Sequence, residues 1–373
     1  MASEVVDLFT ELAALPSPPG EERAVADAVG RYLRDLGLTV VEDDAGGRVG
    51  STIGNLLCRI EPTGEGGTPV FFCAHLDTVP PTGPIEPVIE DGVVRNAGGT
   101  ILGADNKSAV AAMLEGTRRI LVENRPHGGI ELLFTPKEEV GLLGAAAFDQ
   151  ERLQARLGYV YDQAAPIGEV ILGAPHSQAM QVRFHGRAAH SGMYPEEGRS
   201  AVVAAARAIS DLRLGRVDEE TTANVGIIQG GTAGNIIPEW CTLDADARSH
   251  DDRKLAELVQ EMLDAFSFAA GLEDCEVETK VSKSYRGYRF KRDDRVVRMA
   301  HDALERTGYT PTYGLSGGAA DANVFNERGL ACLNLANGMQ DIHTPDERIT
   351  VDDLERMVEV TLALVDVARD ADT

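Results

Sequence analysis

The sequence predicts an α/β protein carrying a small α+β block inserted into its chain, and three observations carry that prediction. Short, nearly all-apolar strands alternate with helical spacing over residues 1–175. The order changes to strand, helix, strand, strand, helix, strand over residues 176–286, and the α/β rhythm returns over 287–373.

Taken along the chain, Val5 to Leu15 and Glu21 to Leu36 have helical spacing, the second introduced by the turn Pro18-Pro19-Gly20. The segment from Thr68 to Ala74 is almost wholly apolar, as expected of a strand buried on both faces. A helix from Ser108 to Val122, a strand from Gly129 to Thr135, a helix from Val140 to Leu153 and a brief strand from Tyr159 to Tyr161 follow. In the inserted block the strands are Gln178–His185, Ala223–Gln229, Thr242–Arg248 and Cys275–Val281, with helices Ser200–Leu212 and Asp252–Phe266, an order that is ferredoxin-like. The last part holds a helix at Asp294–Arg306, a strand at Ala331–Leu335 and a helix at Val351–Ala368.

Composition narrows the function. A net charge of −25, with 60 acidic against 35 basic residues, argues against nucleic acid, whose phosphates need clustered Lys and Arg, and against anionic membranes. No apolar run reaches membrane-spanning length, and Met1–Leu12 reads as an acidic amphipathic helix rather than a signal peptide. Cys58, Cys73, Cys241, Cys275 and Cys332 are scattered and odd in number, so reduced thiols in a cytoplasmic protein are expected.

Five short stretches carry the chemistry. His75 and Asp77, two residues apart after an apolar strand, point to one side of an extended chain, so one could bind a metal while the other orients it. Alone, H-x-D is a weak signal and fits an ordinary surface turn better. Asp105 in Gly103-Ala104-Asp105-Asn106-Lys107 opens a helix, where a carboxylate also serves as a cap. Glu138 and Glu139 follow a strand; neighbouring carboxylates there repel and favour a metal or a proton between them. Asp162 again ends a strand, and His343 lies in Asp341-Ile342-His343-Thr344-Pro345. Together they supply enough oxygen and nitrogen donors for two divalent ions, most naturally zinc, with cobalt or manganese as alternatives.

The ordered run H-x-D, G-A-D-N-K, E-E, Y-D and H-T-P-D-E resembles the di-zinc metallopeptidase family that includes peptidase T, carboxypeptidase G, aminoacylase and the succinyl-diaminopimelate desuccinylases. The resemblance implies a zinc-peptidase-like catalytic domain, with a mixed sheet flanked by helices, over 1–175 and 287–373, and a lid or dimerisation domain over 176–286. It implies that His75, Asp105 and Asp162 hold one metal and Asp105, Glu139 and His343 the other, with Asp105 as the bridge. Asp77 would orient His75, and Glu138 would be the general base in hydrolysis of an amide bond. In the insertion, the segment Gly186–Gly192 is similar to the family's glycine-histidine segment, whose histidine, here His190, polarises the scissile carbonyl of a neighbouring active site in a homodimer.

Asn235, Arg248 and the pair Gly317-Gly318 match the family's substrate-binding segments. Arg248 could equally be paired with the acids around it. Among the branches, G-A-D-N-K-S-A resembles the peptidase T-like group, whereas deacetylases and desuccinylases more often show D-M-K-G-G. The expected activity is tripeptide aminopeptidase-like on a small peptide. A deacylase or carboxypeptidase acting on N-acyl amino acids, or a non-catalytic metal- or peptide-binding protein on the same scaffold, are the alternatives.

Overall fold

The computed structural model describes residues 3–371; of the acidic N-terminal segment, Met1 and Ala2 lie outside them. The chain divides into two compact units, one of Met1–Gly173 with Arg289–Thr373 and one of Ala174–Tyr288.

The larger unit is built on a mixed sheet. Its strands run in the order Val40–Glu42, Leu56–Ile60, Ile130–Thr135, Val70–His75, Leu157–Val160, Ala331–Leu335 and Glu169–Ala174. The four from Ile130–Thr135 to Ala331–Leu335 are mutually parallel, and the flanking pairs are antiparallel. Val70–His75 is buried along its whole length because helices cover both of its faces. Phe71 meets Phe325 of the Asp321–Glu327 helix edge-to-face at 5.3 Å. The next residue, Phe72, points to the opposite face and packs on Tyr161, whose hydroxyl pairs with Thr361 of the Val351–Asp370 helix. That helix, Glu4–Ala13 and Ala104–Val122 pack against one another on this face, in the largest apolar core of the unit.

Two helical expectations change. Val140–Leu153 is not one helix: Leu143–Ala147 ends at an extended Phe148, and a separate turn covers Gln150–Arg152. The Asp149 carboxylate accepts from the Glu151 N–H at 3.1 Å, a local bond that competes with helix continuation. The helix expected from Ser108 begins instead at Ala104, although Asp105 and Asn106 keep non-helical dihedrals within it. Asp105 is not its N-cap; Gly103, with φ of +80°, occupies that position. The strands Val40–Glu42, Leu56–Ile60 and Glu169–Ala174 were unassigned from the sequence, being short or interrupted in their apolar pattern.

The smaller unit has the order fourth, first, third, second among the four strands Glu276–Tyr285, His176–His185, Trp240–Ser249 and Thr221–Gly230, with all pairings antiparallel. Alternation sets its faces. Met180, Val182 and Phe184 point with Cys241, Leu243, Ala245 and Ala247 into a core closed by the helices Ala201–Asp211 and Asp252–Leu272. Ser200 and Asp251 cap these helices by accepting from backbone N–H groups of the first turn. This is the ferredoxin-like arrangement expected for the inserted block.

Candidate metal centre

Four adjacent parallel strands end on one edge of the larger sheet, and each is followed within a few residues by part of one cluster. Ile130–Thr135 leads to Glu138 and Glu139, Val70–His75 ends on His75 itself, Leu157–Val160 leads to Asp162, and Ala331–Leu335 leads to the loop with His343. Asp105 joins them from the start of the Ala104–Val122 helix. The carboxyl ends of parallel strands are where α/β proteins collect ligand-binding side chains, since the chain must turn there toward a helix or loop.

The two oxygens of Asp105 face two different histidines. Oδ1 lies 3.1 Å from His75 Nε2, and Oδ2 lies 3.2 Å from His343 Nε2. His343 Nε2 is also 3.0 Å from Glu139 Oε1, and His75 Nε2 is 4.0 Å from Asp162 Oδ1. One donor atom from each of His75, Asp105 and Glu139 falls within 4.8 Å of the others.

Hydrogen-bond accounting tests whether a cation fits. The Nδ1–H of His75 donates to the Asp77 carbonyl at 2.8 Å, and a carbonyl can only accept. The neutral ring then turns the lone pair of Nε2 toward a carboxylate oxygen, acceptor against acceptor. His343 Nε2 likewise faces two carboxylates. Such contacts need a positive charge between them, a proton or a metal ion. Imidazole and carboxylate donors without thiolate suit a divalent ion such as zinc, so these residues fit the expected metals.

The electrostatics express the same crowding. Burial, followed by the neighbouring acids, pushes Glu138 and Asp162 well above the usual carboxylate range. For Asp105 burial acts in the same direction, but the contacts with His343 and His75 outweigh it and hold the carboxyl well below its ordinary value. Contacts with Asp105 and Glu139 raise His343 to about 10. In the protein without ions, protons on the histidines take up part of the charge that divalent cations would balance.

Asp77 acts differently from the sequence expectation in one respect. Its carbonyl receives the His75 proton, whereas its carboxylate lies 3.6 Å from that nitrogen. The carboxylate oxygens instead accept from the backbone N–H groups of Glu138 at 2.9 Å and Glu139 at 3.1 Å. Asp77 thereby ties two strand ends together.

Further residues around the cluster hold its backbone or lie buried against it. The buried Glu22 accepts from the Lys137 N–H at 3.2 Å, and so helps hold the Glu138–Glu139 turn, in which Lys137 has a φ of +56°. Asn334 grips Asp162 by both backbone groups, accepting from its N–H at 2.9 Å and donating to its carbonyl at 2.8 Å. Asp321 is buried against Thr135, with one oxygen lacking a hydrogen-bond partner, and burial raises it to about 6. Glu347 accepts from three backbone N–H groups at the turn bearing Asp105. Two of these had a signal in the sequence, Asp321 beside the Gly317-Gly318 pair and Glu347 closing H-T-P-D-E; Glu22 and Asn334 had none.

The remaining candidates lie apart from this cluster in the chain. His190 is exposed in the smaller unit and receives the Gly192 N–H at 3.2 Å. Its segment pairs with that of Asn235: Ser191 N–H donates to the Asn235 carbonyl at 3.0 Å, and Ile237 N–H to the Ala189 carbonyl at 2.9 Å. Arg248 donates through Nε to Asp246 at 2.9 Å, so the ion-pair reading of this residue describes one of its contacts. Gly317 and Gly318 lie in the larger unit, in the loop before the Asp321–Glu327 helix, where Gly318 N–H donates to Ser316 Oγ at 3.1 Å.

Comparisons with known proteins agree with this architecture. The model of Peptidase family M20/M25/M40 matches residues 71–367. The uncharacterized protein YqjE of Bacillus subtilis (strain 168) is 37% identical over 364 residues, covering 98% of each chain. The crystal structure of aminopeptidase PepT from Bacillus cereus ATCC 10987 is 38% identical, with a TM-score of 0.89 over 98% of each chain. That of a tripeptidase from Staphylococcus aureus subsp. aureus Mu50 is 34% identical, with a TM-score of 0.94 over the full length of both. With this site and these matches, the chain belongs to Peptidase family M20/M25/M40 and is a metallopeptidase.

Proposed function

We propose that this chain is a tripeptide aminopeptidase of the peptidase T-like kind, using two divalent ions, most naturally zinc. The observation that carries the proposal is Asp105, whose two oxygens face His75 on one side and His343 on the other. His75, Asp105 and Asp162 would hold one ion, and Asp105, Glu139 and His343 the other. The substrate class is supported by the similarity to an aminopeptidase and a tripeptidase over essentially the whole chain.

When bound, the ions supply Lewis acidity toward the scissile carbonyl and the attacking water. Glu138 is the general base: its carboxyl is buried beside the cluster, where it would take a proton from water and return it to the departing amine. Asp77 keeps Glu138 and Glu139 in place through their backbone N–H groups and keeps His75 in one tautomer through its carbonyl. His190 donates to the developing oxyanion. Asn235, Arg248, Gly317 and Gly318 contact the peptide, the Arg248 guanidinium donating to the peptide's carboxylate.

The same reading includes a homodimer formed through the smaller unit. Its support is the ten-residue strand Glu276–Tyr285, which is the edge of the sheet in this chain and is largely exposed, a row of backbone groups able to pair with a second copy. A cytoplasmic location is in keeping with five free cysteines. Among the described residues, no helix is long and apolar enough to cross a membrane.

A panel of tripeptides, dipeptides and N-acyl amino acids tests the activity. Tripeptides should lose their N-terminal residue fastest, and chelation should abolish turnover. Faster hydrolysis of N-acyl amino acids, or of the C-terminal bond, would overturn the assignment.

A further inference from the structure

We infer that Glu347 is a positioning residue that clamps the His343 loop to the turn bearing Asp105, so that these two ligands are set by one fixture. The inference rests on the reading that Asp105 and His343 hold metal. Glu347 is 1% exposed, and its carboxylate has a specific task. Oε2 accepts from the N–H groups of Leu102 and Gly103, both at 2.8 Å, and Oε1 accepts from the N–H of Asp105 at 2.9 Å.

These donors need an outside partner. They lie at the start of the Ala104–Val122 helix, where N–H groups have no carbonyl one turn earlier, and where Asp105 and Asn106 depart from helical dihedrals. An anion satisfies them together with the positive end of the helix dipole. Glu347 is that anion, and it comes from the segment that delivers His343 four residues earlier. Asp105 is therefore held twice by a single stretch of chain: its side chain by the His343 ring, at 3.2 Å, and its backbone by Glu347. His343 has a φ of +64°, a conformation that non-glycine residues rarely adopt, and it is half-exposed. On the same loop Asp341, Thr344, Pro345 and Asp346 are exposed and Ile342 is only partly buried against the core, so Glu347 is the fully buried polar anchor nearest the ring.

Titration of zinc into the metal-free protein, followed calorimetrically, tests this for Glu347→Gln, Glu347→Asp and His343→Ala beside the parent. The amide of Gln keeps one acceptor but turns an NH₂ toward backbone N–H groups. Zinc affinity should fall about 10- to 100-fold at the site shared by Asp105 and His343, both of which Glu347 positions, and less at the site that His75 and Asp162 also hold, in the range of lost outer-shell contacts to metal ligands. Glu347→Asp, which retains the charge, should recover part of the loss. The Tm of the metal-free protein should fall modestly, as for the loss of one buried hydrogen bond to a charged acceptor. Parent-like affinity in Glu347→Gln, when His343→Ala has lost an ion, overturns the inference. So does an equal loss at both sites that follows a large fall in metal-free Tm and that Asp does not relieve. Should Glu347→Gln fail to fold, Glu347→Asp decides alone: binding weakened most at the site shared by Asp105 and His343 supports the clamp, and parent-like binding refutes it. If His343→Ala keeps both ions, the ligand assignment itself is wrong.

Discussion

Replacing Glu138 with Gln should separate activity from stability in opposite directions. The side chain is 8% exposed, and its raised proton affinity comes first from burial, so an ionised carboxylate there is unfavourable to the folded metal-free protein. A buried acid whose folded pKa is raised binds its proton more tightly folded than unfolded. Its contribution is therefore intact below the ordinary carboxylate range and becomes destabilising as pH rises above it. The amide removes that penalty while keeping size. The backbone N–H of residue 138 still donates to Asp77 Oδ1 at 2.9 Å, so the turn should survive. Turnover should nevertheless collapse, since an amide cannot accept the proton: general-base losses of about 100- to 10,000-fold correspond to about 2.7 to 5.4 kcal/mol in the barrier. Steady-state kinetics on a tripeptide, metal analysis and thermal unfolding of the metal-free protein near pH 7 measure the three consequences. Both ions should remain, and Tm should be equal to or above that of the parent. Near-parent kcat would place the base elsewhere, and a Tm lower by many degrees would mark Glu138 as a structural residue.

Other perturbations test the rest of the site. Asp105→Ala should lose both ions in metal analysis because each of its oxygens serves a different histidine, whereas His343→Ala should lose one; an Asp105→Ala protein retaining two tightly bound ions would refute the bridge. Removing metal from the parent should abolish hydrolysis and lower Tm, since ions that bind only the folded state stabilise it by mass action; both should return on adding zinc back. Asp77→Asn leaves one acceptor for the N–H groups of Glu138 and Glu139, a loss of about 1.5–3 kcal/mol for a bond to a charged group, and denaturant unfolding should show it along with reduced kcat. Mixing inactive His190→Ala with inactive Glu138→Gln subunits should restore part of the activity if His190 acts across a dimer. Demonstrated subunit exchange with no recovery would remove that role.

Much of this protein can be read locally. Apolar strands such as Val70–His75 and Ile130–Thr135 declare themselves by composition, because a strand covered on both faces has no polar positions to spare. Most of the acids and histidines follow such strands, which is why His75, Asp105, Glu138, Glu139, Asp162 and His343 could be named together as candidates from the sequence. Gln178–His185 and Thr242–Arg248 were likewise legible as strands, and the structure gives them the alternating burial of a sheet with one buried face.

Only the tertiary structure decided how the set is held. Asp105 faces a histidine with each oxygen because His75 and His343, far apart in sequence, arrive on opposite sides of one carboxylate. The Asp77 carboxylate belongs chiefly to the Glu138–Glu139 turn, and Glu22, Asn334 and Glu347 each fix the backbone beside a functional residue from a distant segment. Helix and strand periodicity report which face of an element is apolar; they contain no term for a side chain that accepts a backbone N–H across the fold. The same is true of Val140–Leu153, where apolar spacing suited a helix but a side-chain bond at Asp149 favoured a turn. Sequence by itself determined which chemical groups are present and at which strand ends. Their mutual orientation was settled by long-range hydrogen bonds, whose partners are chosen by the packed chain and not by their neighbours in sequence.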